Sequence, residues 1–194
     1  MKKMFLIFGL VIIAILSLVL VEEFNVQAKG EKTMDKKILI AYFSWSGNTK
    51  HIAEEIQNRV GGDMFRIETA TPYPNDYNET AYGVAKKQHD ENIFPELKSK
   101  GDVSNYDVIF VGTPAWWYTM APAVKTFLKE NNFEGKTIVP FTTHGGGGGY
   151  HIPDDMAKLA TGADVVKNQL VVYGKGNSGT SKEIDNWLNS LNLK

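Results

Sequence analysis

The sequence contains no cysteine among its 194 residues. This absence excludes disulfide bonds, thiol catalysis, cysteine-ligated zinc, iron–sulfur clusters and a lipid-modified cysteine at the amino terminus. Any chemistry must therefore come from oxygen and nitrogen side chains or from a bound organic cofactor.

An excess of charge of either sign is also missing, since 21 Lys and Arg residues balance 22 Asp and Glu residues. We therefore expect no nucleic-acid partner, because such partners select basic surfaces. The four histidines have no HExxH or similar spacing, so no metal site is predicted and surface or structural roles are expected for them. The chain is long enough for one well-buried α/β domain.

The amino-terminal segment has the order of a secretory signal. Lys2 and Lys3 form a basic start, residues 5–21 form an apolar run, and a small-x-small site predicts cleavage after Ala28. An uncleaved anchor is the alternative for residues 1–28, because the apolar run is longer than most signal cores; membrane association would then involve this run alone. Both interpretations predict an extracytoplasmic domain, secreted or anchored, because the lysines stay inside.

Beyond a polar linker at residues 29–36, apolar runs alternate with amphipathic segments over residues 37–194. The predicted strands are residues 38–43, 64–68, 107–112, 137–142 and 164–172. The predicted helices are residues 48–60, 79–91, 122–130, 153–160 and 181–191. All strands except the second are nearly continuous in Ile, Val, Leu and Phe, which is typical of strands covered by helices on both faces. The pattern predicts a three-layer, doubly wound α/β fold with a five-stranded, mostly parallel sheet.

The loop after the first strand, SWSGNT at residues 44–49, is rich in hydrogen-bond donors. The first N–H groups of the following helix have no intrahelical partner and lie at the positive end of the helix dipole, which suits a phosphate. The structural alternative is that Ser46 or Asn48 only caps the helix. The candidate phosphate-binding residues are Ser44, Ser46, Gly47, Asn48 and Thr49.

The loop after the third strand, residues 112–122, contains Trp116, Trp117 and Tyr118 in succession. Aromatic side chains at the carboxyl end of a strand can stack on a planar ring system. The alternative is that they belong to the core. Because adjacent side chains diverge, we expect one of the two tryptophans to be a core residue.

The loop after the fourth predicted strand, TTHGGGGGY at residues 142–150, contains five consecutive glycines. Glycines let the backbone approach a ligand closely and offer N–H donors to its carbonyl and ring nitrogen atoms. Taken alone, the run is equally consistent with plain flexibility.

Together the three loops resemble the flavodoxin family, specifically its members with a paired-tryptophan loop. The matching motifs are [ST]-x-[ST]-G-x-T at residues 44–49, TPAWW at residues 113–117 and FTTHGGGG at residues 141–148. The resemblance extends from residue 37 to the end and implies non-covalent FMN, with its phosphate in the first loop and its isoalloxazine against the other two. The implied flavin-binding residues are Ser44, Ser46, Gly47, Asn48, Thr49, Thr113, Pro114, Ala115, Trp116, Trp117, Tyr118, Thr143, His144, Gly145, Gly146 and Gly147.

The resemblance implies three functions in order of preference. The first is an electron-transfer protein on the outer side of the membrane that serves a redox partner protein. The second is an FMN-dependent NAD(P)H:quinone or flavin reductase, for which the open ring face would accept a small quinone or nicotinamide; Tyr73, Tyr77, Trp117 and His144 are candidate walls. The third is a flavin-binding module without redox activity. Many soluble carriers are strongly acidic, whereas this chain is near neutral, so their mode of partner docking is not expected here.

A G-x-G-x-x-G pattern at residues 174–179 follows a predicted strand and precedes a helix. A dinucleotide site would require a second strand ending in an acidic residue about 20 residues later, and the remaining chain is too short for this. We therefore predict only a turn into the last helix. No G-x-S-x-G motif is present, which disfavours an α/β-type serine hydrolase, and no G-x-x-x-x-G-K-[ST] motif is present, which excludes a P-loop nucleotide hydrolase.

Overall fold

The computed structural model of the protein describes residues 36–191 and 193. The predicted leader at residues 1–28, and all of the predicted linker except Lys36, lie outside these residues. In the described part of the chain, no helix combines the length and the apolar character that a membrane span requires.

A parallel sheet forms the middle of the fold. The strands are β1 (Ile38–Tyr42), β2 (Asp63–Arg66), β3 (Val108–Trp116), β4 (Thr119–Met120), β5 (Thr137–His144), β6 (Asp164–Val165) and β7 (Leu170–Tyr173). The parallel order is β2-β1-β3-β5, and β6 and β7 both pair with the outer side of β5. β1 is buried along its whole length and β3 along its first six residues, which is why these strands are continuously apolar.

Within the described residues, five α-helices cover the sheet. They are α1 (Asn48–Val60), α2 (Ala85–Asp90), α3 (Pro122–Glu130), α4 (Ile152–Leu159) and α5 (Thr180–Ser190). α1 contacts α5, whereas α3 contacts α2 and α4, as expected for helices on two faces of a doubly wound sheet. Helix α1 buries one stripe at helical spacing, formed by Thr49, Ile52, Ala53 and Ile56. The predicted α/β architecture is confirmed, with three differences in detail.

The first difference is the edge strand, which was predicted as one strand over residues 164–172 and is divided into β6 and β7. The Val166 N–H donates to the Ile138 carbonyl oxygen at 2.9 Å, so the backbone groups of Ile138 point towards this edge. Alternate residues of a strand point to the same side, so Pro140 points there as well, but it has no N–H to donate. The ladder is interrupted at Pro140, with β6 pairing before it and β7 after it.

The second difference is the predicted helix at residues 79–91, which is π-helical over Glu79–Val84 and α-helical over Ala85–Asp90. The Nε1–H of Trp117 donates to the carbonyl oxygen of Ala81 at 2.7 Å. The π segment therefore offers a carbonyl to a side chain from another loop. Single π-helical turns occur frequently at functional sites.

The third difference is the predicted loop at residues 112–122, most of which is strand. β3 extends through Trp116, and β4 pairs back on it in antiparallel fashion. Trp117 and Tyr118 form the two-residue tip with φ of 49° and 67°. Hairpin tips with two positive φ angles favour Asn and Gly, so two aromatic residues gave no turn signal in the sequence.

The left-handed backbone at Tyr118 leads to a stability prediction. We expect Tyr118→Gly to be more stable than Tyr118→Ala by about 1 kcal/mol, because only glycine adopts positive φ without strain. Both variants lose the edge-to-face contact with Tyr150, whose ring centroid lies 5.3 Å away. The difference between their unfolding free energies therefore reports only the cost of the left-handed backbone. Urea denaturation of the ligand-free protein measures this difference. A more stable alanine variant would be inconsistent with a left-handed tip.

Candidate functional site

The loops after β1, β3 and β5 meet at the carboxyl edge of the sheet. From β1 the chain crosses to β2 on one side and later to β3 on the other, and ligands of such sheets bind where the direction changes. The hydroxyls of Thr49 and Thr143 hydrogen-bond at 2.8 Å and join the first loop to the third. The contact between Tyr118 and Tyr150 joins the second loop to the third. The structure therefore brings the three predicted loops together.

The first loop leaves the start of α1 without a side-chain cap. The cap position is Gly47, with φ of 90°, and no side chain accepts a hydrogen bond from the helix there. The structural alternative, a cap by Ser46 or Asn48, is therefore not what the structure contains. Ser44 is only 5% exposed, and its hydroxyl has no hydrogen-bond partner among the described residues. A buried hydroxyl without a partner and a helix start with free N–H groups each offer hydrogen-bond donors to an anion.

A surface cavity of about 370 Å³ opens at this helix start. It is lined by Ser46, Gly47, Asn48, His51, Lys175, Gly176 and Asn177. None of these residues is acidic, and no described residue forms an ion pair with Lys175. The lining therefore favours a negatively charged ligand.

Lys175 was not among the residues predicted to bind a ligand. Its segment is the expected turn into the last helix, with positive φ at Gly174 and Gly176. The turn nevertheless reaches the first loop, because α1 and α5 contact each other. No local motif carries this information, since the two loops are more than 120 residues apart in the chain.

A smaller cavity of about 170 Å³ lies on the β2 side of the first loop. Ser44 lines this cavity and not the larger one, and the charged lining residues are Arg66, Glu68 and Lys98. The Glu68 carboxylate lies 3.9 Å from the Arg66 guanidinium and 3.4 Å from the Lys98 ammonium, so one carboxylate is shared by two cations and the three side chains keep a net charge of +1. A phosphate is accommodated better at the Lys175 cavity, where no carboxylate competes.

The two tryptophans of the second loop diverge, as expected. Trp116 packs against the core, edge to face with Phe43 at 5.5 Å and with Tyr73 at 5.1 Å. Trp117 donates its Nε1–H to the Ala81 carbonyl of the π-helical segment, and the Lys86 ammonium of α2 lies 4.9 Å from its ring centroid. Both tryptophans are half-buried: Trp116 packs on the core, whereas Trp117 packs against Lys86 and His89 of α2 at the rim of the site.

The residues at the base of this hairpin have structural contacts of their own. Thr113 is fully buried; its hydroxyl accepts a hydrogen bond from the Ala121 N–H at 3.0 Å and donates to the Pro114 carbonyl at 2.9 Å. Pro114 and Ala115 are half-buried in β3. The hydroxyl of Thr113 thus holds the two strands of the hairpin together.

Tyr73 and Tyr77, both predicted as walls of an open face, differ in position. Tyr73 is largely buried, and its hydroxyl donates to Gln88 at 2.7 Å. Burial raises the pKa of Tyr73 and outweighs the opposing effect of this hydrogen bond. Tyr77 is 60% exposed and meets Tyr82 at 6.1 Å between ring centroids. Tyr77, Tyr82 and Trp117 line the surface, whereas Tyr73 belongs to the interior.

The glycine-rich loop is ordered by hydrogen bonds as well as by its backbone. β5 extends through His144, two residues beyond the predicted end. The N–H groups of Gly146 and Gly148 both donate to Nδ1 of His144 at 3.0 Å. The Tyr150 hydroxyl lies against Gly147, where any Cβ atom would overlap it. Gly145 and Gly146 are exposed, so their backbone groups are accessible to a ligand.

The described residues form no metal-binding cluster. Across residues 36–191, no group of three or more His, Asp or Glu side chains is arranged to hold a metal ion. The site combines backbone donors, hydroxyls, aromatic rings and one lysine, which suits a planar organic ligand with an anionic group.

Comparison with known proteins gives one consistent result. Residues 37–191 match the family model described as Flavodoxin. The chain is 30% identical to a flavoprotein of Bacteroides eggerthii, with a TM-score of 0.68 and alignment over 82% of this chain and 100% of that one. A flavoprotein of Bacteroides uniformis is 25% identical, with a TM-score of 0.66 and coverage of 80% and 99%. A flavoprotein of Lactobacillus acidophilus, solved in complex with FMN, is 28% identical, with a TM-score of 0.59 and coverage of 79% and 99%. No curated protein sequence matches the chain.

Proposed function

Because the chain belongs to the flavodoxin family, we propose that it binds FMN non-covalently and transfers electrons through it. FMN supplies the redox chemistry when it is bound. The chain's own residues bind the phosphate, orient the ring and restrict access of water to it. The similarity to a flavoprotein solved with FMN supports this choice of ligand.

The observation that carries the proposal is the uncapped start of α1 in a loop whose buried Ser44 hydroxyl also has no partner among the described residues. A phosphate bound here would accept hydrogen bonds from the first helical N–H groups and from Ser44, and it would lie close to the unpaired Lys175. The ligand-free chain offers these donors without using them internally. The Ser44 hydroxyl is buried, so its lack of a partner is unfavourable unless a ligand supplies one.

The remaining loops fit a planar ring next to this phosphate. Tyr118 and the half-buried Trp117 at the hairpin tip offer aromatic surface, and the exposed Gly145 N–H offers a donor to a ring edge, whereas the Gly146 N–H already donates to His144. Backbone donors beside the ring favour the redox state that carries more negative charge. We therefore expect bound FMN to have reduction potentials that differ from those of free FMN. Anaerobic redox titration tests the electron-transfer function, and potentials equal to those of free FMN would count against it.

The contribution of Lys175 can be measured separately. We expect Lys175→Gln to weaken FMN binding about two- to fivefold at low ionic strength, with a smaller effect at high salt, because the lysine is exposed. Riboflavin binding should stay unchanged, since riboflavin has no phosphate. Lys87→Gln, at another exposed lysine, is the matched control. An equal loss for FMN and riboflavin would mean that Lys175 does not contact the phosphate.

A reductase acting on small planar substrates is the second candidate. It is supported by Tyr77 and Tyr82, which are each 60% exposed in a row of aromatic rings beside Trp117. Such rings can stack on a nicotinamide or a quinone. Stopped-flow oxidation of NADH or NADPH in the presence of a quinone separates the candidates. Turnover no faster than that of free FMN would exclude the reductase.

We further propose that the domain works on the outer side of the membrane. The support for this location comes only from the sequence of the leader, with its lysines before an apolar run. Digestion of intact, cell-wall-free cells by an added protease tests the proposal. An outer domain should be degraded, whereas full protection would contradict the proposed location.

A further inference from the structure

His144, the last residue of β5, has a defined tautomer. Its Nδ1 accepts hydrogen bonds from the N–H groups of Gly146 and Gly148, both at 3.0 Å. A backbone N–H can only donate, so Nδ1 must be the unprotonated nitrogen. A neutral imidazole carries its proton on the other nitrogen, which is Nε2. The fold therefore presents an Nε2–H donor at this position.

The ring is also held in place from a second side. His144 pairs with Tyr173 in the β5–β7 ladder, and its carbonyl oxygen accepts the Gly174 N–H at 2.8 Å. The Tyr173 ring packs edge to face on the imidazole, with 5.7 Å between centroids. Among the described residues, none accepts a hydrogen bond from Nε2. The donor is fixed in direction and has no partner in this part of the chain.

We propose that the Nε2–H of His144 is a side-chain hydrogen-bond donor to the polar edge of the flavin ring, and that it binds reduced FMN more tightly than oxidised FMN. This inference rests on the proposed function. The glycine-rich loop contributes backbone donors, and His144 adds a donor whose direction is fixed before the ligand binds. A preorganised donor forms a stronger hydrogen bond when the negative charge on its acceptor increases. Reduction increases the negative charge at the polar edge of a flavin.

A purely structural role is the competing explanation, since the imidazole also caps the glycine-rich loop through Nδ1. The variant His144→Asn separates the two roles. The Asn Oδ1 occupies nearly the position of Nδ1 and can accept the same two N–H groups, but no atom replaces Nε2. His144→Ala removes both functions, and His151→Asn is the matched control at an exposed histidine.

The tautomer is tested first in the ligand-free full-length protein. Long-range ¹H–¹⁵N correlation spectra at neutral pH should show Nδ1 of His144 as unprotonated and Nε2 as protonated. An Nδ1-protonated ring, or a doubly protonated one, would overturn the inference. This readout does not depend on FMN and remains informative if the proposed function is wrong.

The contact with flavin is tested next, by the ratio of the affinities for reduced and oxidised FMN. We expect His144→Asn to lower this ratio about tenfold, because hydrogen bonds to charged groups contribute that much, while oxidised FMN still binds within a few-fold of wild type. For a two-electron couple this equals a potential about 30 mV more negative. His151→Asn should match wild type. An unchanged ratio in His144→Asn would mean that His144 has only its structural role in the glycine-rich loop. Absence of FMN binding in the wild type would refute both the proposed function and the flavin contact.

Discussion

Ser44→Ala is expected to weaken FMN binding ten- to a hundredfold while leaving the ligand-free protein at least as stable as wild type. The Ser44 hydroxyl is buried and has no hydrogen-bond partner among the described residues, so alanine removes an unsatisfied polar group and no protein contact. In the complex the same hydroxyl would donate to a charged phosphate, a bond that contributes about 1.5–3 kcal/mol. The affinity for FMN should therefore fall, while the stability of the ligand-free protein stays equal or rises.

Calorimetric titration and urea denaturation of the same preparations test this prediction. Riboflavin is the control ligand, because it lacks the phosphate and should bind the variant as it binds wild type. Ser104→Ala is the control variant at an exposed serine before the amino end of β3, away from the three loops. If Ser44→Ala destabilises the ligand-free protein, or weakens both ligands equally, the hydroxyl has a structural role instead.

Thr49 provides a comparison at the same loop. Its hydroxyl already bonds that of Thr143 in the ligand-free protein. Thr49→Val would leave the buried Thr143 hydroxyl without its partner, so this variant should lose stability as well as affinity. Comparing the stability and affinity of the two variants distinguishes a hydroxyl that bonds only the ligand, Ser44, from one that also joins two loops, Thr49.

Gly112→Ala is expected to have the largest effect on folding. Gly112 lies in β3 between Tyr42 of β1 and Phe141 of β5, and a Cβ atom there would overlap the buried Phe141 ring. Overpacking of a filled core costs about 1–3 kcal/mol. Because the Phe141 ring is fully buried and cannot move into solvent, we expect a loss at or above the upper end of this range. Denaturation midpoints of the ligand-free protein measure it.

Two further variants identify the cause of this loss. Phe141→Leu should partly rescue Gly112→Ala, so that the double variant is less destabilised than the sum of the two single variants. Gly83→Ala is the control: Gly83 lies in the π-helical segment with no atom near the added Cβ, so the variant should match or exceed wild-type stability. Simple additivity at residues 112 and 141 would argue against the steric overlap.

The sheet and its helices were predictable because strands buried on both faces have continuous apolar sequences and helices buried on one face have an apolar stripe. β1 and the first part of β3 are continuous apolar runs, and α1 has an apolar stripe at helical spacing. The interruption at Pro140 was not predictable in the same way. A missing N–H matters only once the register shows which neighbour it faces.

The site was predictable as three loops, but its detailed contacts were not. The motif at residues 44–49 indicated an anion site, yet only the structure distinguishes a free helix start from one capped by Ser46 or Asn48. The hairpin tip was missed because Trp117 and Tyr118 adopt a backbone that turn rules assign to Asn and Gly. Lys175 was missed because its proximity to the first loop depends on how two distant helices pack.

The central claim is that residues 44–49 hold the phosphate of FMN, and the most direct test compares FMN with riboflavin. Both ligands should be titrated into the purified protein by calorimetry at one ionic strength. Several hydrogen bonds to a charged phosphate predict that FMN binds at least about a hundredfold more tightly than riboflavin. Equal affinities, or no uptake of FMN at all, would contradict the claim.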